Sequence, residues 1–171
     1  MLDLKDFIRD IPDFPKEGIL FKDITPLWQN PAAFRQAIDM LVDRFKDEKI
    51  EMIVGAEARG FIIGGALAYR LGTGLIPVRK PGKLPYKTIS ASYALEYGTD
   101  SLEMHVDALS RGQRVLILDD LLATGGTAKA LVELVEKAKA KVAAIAFLIE
   151  LTFLYGRDKL EGYEVFSLMQ Y

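Results

Sequence analysis

Cysteine is absent from this chain of 171 residues, which excludes disulfides, thiolate nucleophiles and cysteine-bound zinc. The only histidine, His105, has no second histidine or cysteine with which to form a metal site or a catalytic triad. No stretch approaches the roughly 18 apolar residues that a membrane-spanning helix needs, and charges occupy the start of the chain, where a secretory signal has an apolar core. These absences predict a cytoplasmic protein with no membrane partner.

Neither sign of charge dominates the sequence. The 22 basic and 24 acidic side chains give a formal net charge of −2, which argues against a nonspecific nucleic-acid binder. Half of the residues are hydrophobic and 27% are charged, as is typical of a globular domain. Because the chain has no linker, repeat or low-complexity tract, we expect one domain over residues 1–171.

Short apolar segments alternate with segments of helical periodicity, which is typical of an α/β fold. Asn30 followed by Pro31 predicts a helix start, since Asn caps free N–H groups and Pro is tolerated in the first turn. Further helices are predicted at residues 61–71 and about 128–139. Strands are predicted at residues 50–55, 75–78, 115–118, 143–151 and 165–171.

The segment at residues 115–127 carries the most chemical information. Its four apolar residues, 115–118, suit the interior of a parallel sheet, and Asp119 and Asp120 follow at the strand's carboxyl end, where open α/β sheets bind ligands. A turn of small residues then leads into a helix, whose free N–H groups attract phosphate and whose glycines allow close approach. The turn consists of Ala123, Thr124, Gly125, Gly126 and Thr127.

A phosphorylated sugar with neighbouring hydroxyls fits this segment better than a nucleotide does. Neither of the two common glycine-rich nucleotide motifs is present. Adjacent carboxylates beside a phosphate turn would also repel a polyphosphate, unless they met hydroxyls or a cation. Without the turn, Asp119 and Asp120 would be equally consistent with a solvated strand end or a helix cap.

The segment resembles the phosphoribosyl-diphosphate motif of the type I phosphoribosyltransferase family, and its Asp-Asp-Leu-Leu-Ala-Thr-Gly-Gly-Thr sequence is similar to that of the adenine-specific branch. The resemblance runs from about Asp10 to Tyr171. It implies a single domain with a mainly parallel, five-stranded sheet flanked by helices, an amino-terminal hood at about residues 1–30, and a flexible loop and β-hairpin flap at about residues 81–107.

The resemblance also implies a reaction. The 5-phosphoribosyl group of phosphoribosyl diphosphate would pass to adenine, giving AMP and diphosphate. Asp119 and Asp120 would hold the ribose hydroxyls, directly or through a Mg²⁺ shell, and the turn at residues 123–127 would bind the 5′-phosphate. Mg²⁺ would be held mainly by substrate and water, since it prefers phosphate oxygens to a full protein cage. A homodimer is implied as well.

A second turn of this kind follows the predicted strand at residues 50–55. The guanidinium of Arg59 and the backbone N–H groups from Glu57 to Gly60 would bind diphosphate oxygens. The segment alone is equally consistent with a surface arginine at a helix start. The resemblance favours diphosphate binding, although Ala58 stands where many members carry serine, so that contact would depend on the backbone.

Basic residues follow the next predicted strand, at residues 75–78. Arg79, Lys80 and Lys83 would neutralise a departing diphosphate, although such a charge run is also typical of a solvated loop. Period-two alternation at residues 89–97 and 102–106, around a turn at 98–100, predicts a β-hairpin. By resemblance, a flap here excludes water, and Glu96 acts as the general acid or base near the purine nitrogens.

The segment at residues 14–26 resembles the hood of the adenine-specific branch. Phe21 would stack on a purine, while backbone groups of Leu20 and Lys22 would pair with its exocyclic amine and ring nitrogen. Composition alone is also consistent with Phe21 as a core residue. Two alternatives stay open: a transferase for xanthine, hypoxanthine or orotate, and a non-catalytic regulator that senses purine or phosphoribosyl diphosphate.

Overall fold

The computed structural model describes residues 1–94 and 99–171. In these residues the strands are β1 (Arg9–Pro12), β2 (Leu20–Asp23), β3 (Met52–Ala56), β4 (Gly74–Val78), β5 (Thr88–Ala94), β6 (Thr99–His105), β7 (Arg114–Leu122), β8 (Lys141–Glu150) and β9 (Val165–Gln170). The α-helices are α1 (Thr25–Gln29), α2 (Pro31–Phe45), α3 (Arg59–Leu71) and α4 (Gly126–Lys137). Short 3₁₀ helices lie at Leu4–Phe7, Thr152–Leu154 and Gly156–Leu160.

The central sheet has five strands in the order β4-β3-β7-β8-β9, and every neighbouring pair is parallel. This confirms the predicted α/β sheet. β7 lies in the middle because its apolar run is buried on both faces. Val115 and Ile117 belong to the core on one face, whereas Leu116 and Leu118 belong to the core on the other.

Helices cover both faces of this sheet. On one face, α4 and the hairpin β5–β6 enclose an apolar core. On the other, α1, α2 and α3 enclose the second core. The predicted start of α2 is confirmed, since Asn30 Oδ1 accepts hydrogen bonds from the N–H groups of Ala32 and Ala33 at 3.1 and 3.0 Å. No helix among residues 1–94 and 99–171 has the length and apolarity needed to cross a bilayer.

The order in which strands are added to the sheet reverses between the parallel neighbours β3 and β7. From β3 the chain passes through α3 to β4 on one side, and from β7 it passes through α4 to β8 on the other. Such a switch point leaves a crevice at the carboxyl ends of the strands. Both helices start two residues earlier than predicted, at Arg59 and Gly126. Helical periodicity missed these first turns because their residues are polar or glycine.

Two antiparallel pairs stand outside the main sheet. β1 pairs with β2 in the predicted hood, and β5 pairs with β6 in the predicted hairpin. The apolar side of the hairpin, which includes Ala91, Leu102 and Met104, packs against the core beneath α4. The turn predicted at residues 98–100 is wrong for Thr99 and Asp100, which belong to β6 opposite Ala94 and Tyr93.

Candidate active site

The amino terminus of α4 forms a small anion-sized cavity at the end of β7. Its N-cap residue, Gly125, has a φ of 79° and no side chain that could cap the helix. No capping side chain therefore occupies the first N–H groups of the helix. The cavity has a volume of about 90 Å³. All five predicted phosphate-turn residues line it, and the complete lining is Tyr93, Leu121, Leu122, Ala123, Thr124, Gly125, Gly126, Thr127 and Ala128.

Gly156 supports this turn from behind and was missed by sequence reasoning. A Cβ atom on Gly125 would overlap the carbonyl oxygen of Gly156, and one on Gly156 would overlap the carbonyl oxygen of Ala123. The two backbones therefore pack directly on each other. No local motif marks Gly156, since the contact arises only when the segment after β8 folds back over the end of β7.

A second cavity of about 270 Å³ adjoins the first. It brings together the acidic pair, the start of α3 and one of the predicted basic residues. The lining residues are Ala56, Glu57, Arg59, Lys80, Tyr93, Leu102, Asp119, Asp120, Leu121, Ala123 and Thr127. Tyr93, Leu121, Ala123 and Thr127 line both cavities, so the two spaces are neighbours at the carboxyl end of β7. A ligand with two anionic groups fits such an arrangement.

The acidic pair occupies the floor of the larger cavity. Asp120 is only 5% exposed, and its Oδ2 lies 3.0 Å from Nε of Arg59. Burial raises the pKa of Asp120, while the Arg59 guanidinium opposes this increase. Burial also raises the pKa of Asp119 well above its ordinary value, and the charge of Asp120 adds to the effect. The pair therefore favours a partner that donates hydrogen bonds or carries positive charge.

The start of α3 forms the second free helix terminus of the site. Its N-cap residue, Ala58, makes no side-chain capping bond. A Cβ on Gly60 would lie 3.1 Å from Oδ1 of Asp119 and 3.2 Å from the carbonyl oxygen of Leu118, so a side chain there would press on the acidic pair. Among the predicted diphosphate donors, the N–H of Glu57 is already paired, since it donates to the carbonyl of Val78 at 2.9 Å.

The carboxylate of Glu57 organises the neighbouring basic loop. It accepts hydrogen bonds from the backbone N–H of Lys80 and, at 3.3 Å, from Nη2 of Arg79. Burial alone would raise the pKa of Glu57, but these two contacts lower it overall. In the described part of the chain, Arg79 and Lys83 do not line the cavity. Arg79 instead turns toward Glu57, and Lys83 is exposed.

Lys80 is the basic-loop side chain that reaches the cavity. Its Nζ lies 3.0 Å from Oδ2 of Asp100 on β6. Tyr93, on the opposite strand, donates its hydroxyl to the same carboxylate at 3.2 Å and also makes a hydrogen bond with Thr127. Tyr93 thus connects the hairpin to the phosphate turn. Sequence reasoning placed it only on the apolar side of the hairpin.

The hood borders the site through Phe21. Its ring lies 5.4 Å from the guanidinium carbon of Arg59 and makes an edge contact with Phe14 at 5.0 Å. Leu20 is half exposed, whereas Nζ of Lys22 pairs with Asp10 at 2.7 Å and lies over the ring of Tyr171. The predicted base-binding segment is therefore next to the acidic pair. The predicted catalytic residue, Glu96, lies outside the described residues.

Comparison with known proteins identifies the family. The family model described as the phosphoribosyl transferase domain matches residues 24–167 of this chain. The chain belongs to the phosphoribosyltransferase family.

Its relatives in this family are closely similar along their whole length. The adenine phosphoribosyltransferase of Thermosipho melanesiensis is 62% identical over 99% of this chain and 97% of its own. The crystal structure of the adenine phosphoribosyltransferase from Thermoanaerobacter pseudethanolicus superposes with a TM-score of 0.96 at 57% identity, covering 98% of both chains. The yeast enzyme, complexed with adenine and an imino-altritol bisphosphate, gives a TM-score of 0.91 at 46% identity and 96% coverage of both chains. The sheet with its flanking helices is thus the type I phosphoribosyltransferase fold.

Proposed function

We propose that this chain transfers the 5-phosphoribosyl group from 5-phosphoribosyl 1-diphosphate to adenine, forming AMP and diphosphate in purine salvage. The observation that carries the proposal is the two adjoining cavities, in which two free helix termini flank the acidic pair. Phosphoribosyl diphosphate has a phosphate at one end, a diphosphate at the other and two hydroxyls between them. The relatives named above are adenine phosphoribosyltransferases, which supports adenine as the acceptor.

The donor would lie across both cavities. The 5′-phosphate would occupy the turn at residues 123–127, where free N–H groups and the helix dipole attract an anion. Asp119 and Asp120 would accept hydrogen bonds from the ribose hydroxyls. Arg59, the free backbone N–H groups at Ala58 and Gly60, and Lys80 would bind the diphosphate. Arg79 would act indirectly, by holding the Glu57 carboxylate that anchors the Lys80 backbone.

Magnesium fits this site as a partner of the donor. Among the described residues, no group of three or more His, Cys, Asp or Glu side chains is placed to hold a metal ion. Three carboxylates line the larger cavity, and because Glu57 is bonded to Arg79 and Lys80, Asp119 and Asp120 would be the pair that meets Mg²⁺, which oxygen ligands suit. Bound there, the ion would neutralise charge on the diphosphate as it leaves. Most of its ligands would come from the donor and from water.

Catalysis would depend on alignment and on charge stabilisation. Breaking the bond to the anomeric carbon moves negative charge onto the diphosphate, which Arg59 and Lys80 would stabilise. Adenine, stacked on Phe21 and paired with backbone groups of Leu20 and Lys22, would present its ring nitrogen to that carbon. Glu96 would exchange a proton with the purine imidazole ring. No covalent enzyme intermediate is required.

A panel of acceptors tests the proposed specificity. The purified chain is assayed with phosphoribosyl diphosphate and Mg²⁺, and diphosphate release is measured with adenine, hypoxanthine, guanine, xanthine and orotate in turn. We expect turnover with adenine, because a backbone acceptor facing the exocyclic amine would reject the bases that carry oxygen there. Faster turnover with another base would instead support a transferase of different specificity. Binding of the donor without turnover on any base would support a regulator.

We also expect a homodimer that acts in the cytoplasm. Ile62 and Tyr69 lie on the outer side of α3 and are 46% and 86% exposed, and large exposed apolar side chains are typical of interfaces. Light scattering at micromolar concentration measures the mass of the particle, and a value of one chain would contradict the dimer. Cell fractionation tests the location.

A further inference from the structure

A partly buried ion pair lies behind the phosphate turn, outside both cavities: Glu150 is buried, whereas the Arg157 side chain is 41% exposed. Glu150, the last residue of β8, is 4% exposed and receives two hydrogen bonds from Arg157: from Nε to Oε1 at 2.6 Å and from Nη2 to Oε2 at 2.8 Å. This fork geometry fixes the guanidinium relative to the carboxylate. The Arg157 contact lowers the pKa of Glu150 despite its burial, so the carboxylate stays charged at neutral pH.

The pair joins three separate pieces of chain. Arg157 also donates from Nη1 to the carbonyl of Val165 at 2.9 Å, and Gln170 donates to Oε2 of Glu150 at 3.2 Å, so β9 is tied in as well. Glu150 itself is the register partner of Leu122, the residue immediately before the phosphate turn. The segment that carries Arg157 is thereby anchored to the carboxyl end of the sheet.

Gly156 precedes Arg157 in this segment and touches the turn. The backbone of Gly156 lies so close to Ala123 and Gly125 that a Cβ atom would fit on neither Gly125 nor Gly156. Any rotation of the segment about the Arg157 anchor would move the Gly156 carbonyl toward or away from the turn. The position of the free N–H groups at the start of α4 is therefore coupled to the ion pair.

We propose that Arg157 and Glu150 are positioning residues for the 5′-phosphate: by holding Gly156 against the turn, they keep the turn in its anion-binding shape. The proposal rests on the function proposed above, because it names the part of the donor that the pair affects. Neither side chain lines the cavities or touches the donor. Their effect should reach ligands that carry a 5′-phosphate and spare those that lack one.

The test compares AMP with adenosine, which differ only in that phosphate. The variants are Glu150→Gln and Arg157→Met, with Arg157→Lys as the conservative change. Dissociation constants for both ligands are measured by calorimetry, together with KM for phosphoribosyl diphosphate and for adenine. We expect AMP to bind about tenfold more weakly to Glu150→Gln and Arg157→Met, as for the loss of one charged hydrogen bond. In these two variants KM for phosphoribosyl diphosphate rises in parallel, whereas adenosine affinity and KM for adenine are unchanged. Arg157→Lys recovers part of the lost AMP affinity.

Arg111→Met is the matched control, since Arg111 is exposed on the turn that precedes β7, at the far end of that strand from the site. Near-ultraviolet circular dichroism establishes that each variant is folded. An unchanged ratio of AMP to adenosine affinity in folded Glu150→Gln and Arg157→Met would overturn the proposal, and so would an equal loss for both ligands. Failure of the unaltered chain to bind AMP or to use adenine would instead count against the proposed function.

Discussion

Nε of Arg59 lies 3.0 Å from Oδ2 of the buried Asp120, while the same guanidinium faces the ring of Phe21 at 5.4 Å. One side chain therefore connects the acidic pair at the end of β7 with the hood. If Arg59 binds diphosphate, it does so from a position already fixed on two sides. Such preorganisation reduces the entropy lost on binding.

Replacing Arg59 should weaken donor binding more than acceptor binding. In Arg59→Met we expect KM for phosphoribosyl diphosphate to rise at least tenfold, since hydrogen bonds to charged groups contribute about 1.5–3 kcal/mol. Arg59→Lys should recover little, because an ammonium cannot contact Asp120 through Nε and face the Phe21 ring at the same time, as the planar guanidinium does. Initial rates with each substrate varied in turn give both KM values. Equal increases in the two would indicate a general structural defect.

The buried acidic pair should destabilise the protein in the absence of ligand. Because the folded-state pKa of Asp119 is raised, its stabilising contribution is present below the unfolded-state pKa and is lost as pH rises through the folded-state pKa. Asp119→Asn removes this penalty and keeps the oxygen that accepts the N–H of Asp120 at 2.9 Å. We expect the variant to gain stability on the order of 1 kcal/mol at pH 7–8 and little at pH 4.

Thermal denaturation between pH 4 and pH 8 measures this difference, and donor titration measures its functional cost. Asp119→Asn should bind phosphoribosyl diphosphate more weakly than the unaltered chain does. The quantity to compare is the stability of Asp119→Asn minus that of the unaltered chain, at each pH. If this difference is smaller at pH 8 than at pH 4, the assigned burial effect is refuted.

The contact between Gly125 and Gly156 predicts a strong position dependence of glycine substitution. Gly125 and Gly162 both have positive φ, 79° and 88°, but a Cβ on Gly162 meets no atom within 4 Å. Each change to alanine carries the backbone cost of about 1 kcal/mol. Gly125→Ala should lose further stability and also affinity for AMP, whereas Gly162→Ala should keep full AMP affinity. Urea denaturation and calorimetry distinguish the two, and similar behaviour of both variants would rule out a special role of the contact.

Asp100 and the diphosphate would compete for the ammonium group of Lys80. The hydrogen bond from Lys80 lowers the pKa of Asp100, and the same contact raises the pKa of Lys80, so both stay charged at neutral pH. Asp100→Asn should free the ammonium and tighten inhibition by diphosphate, by less than about fivefold because the Lys80 side chain is 58% exposed and solvent screens its charge. Lys80→Met should weaken it. Weaker inhibition in Asp100→Asn would mean that Asp100 holds Lys80 in its binding position.

Glu96 is assigned from the resemblance alone. If it moves a proton on the purine ring, Glu96→Gln should lower kcat far more than it changes donor affinity, with a loss of about 100-fold or more. Single-turnover rates and donor titrations measure the two effects separately. Unchanged turnover would remove Glu96 from the mechanism.

Much of this arrangement was predictable because it rests on local patterns. The apolar run of β7, the Asn30 cap and the two turns at the ends of β3 and β7 are each written in neighbouring residues. Which basic residue faces the cavity was not predictable. Arg79 pairs with Glu57 and Lys80 pairs with Asp100, and both partners are distant in sequence. The support given by Gly156 depends on residues that become neighbours only in the folded chain.

The two free helix termini follow adjacent strands, β3 and β7. Neighbouring strands in a sheet lie about 4.8 Å apart, a spacing that backbone hydrogen bonds fix. Because both termini begin directly after these strands, the sheet holds the two proposed anion sites close to each other on its own backbone. Two phosphorylated sugars of equal charge would then differ in fit according to the number of bonds between their phosphoryl groups.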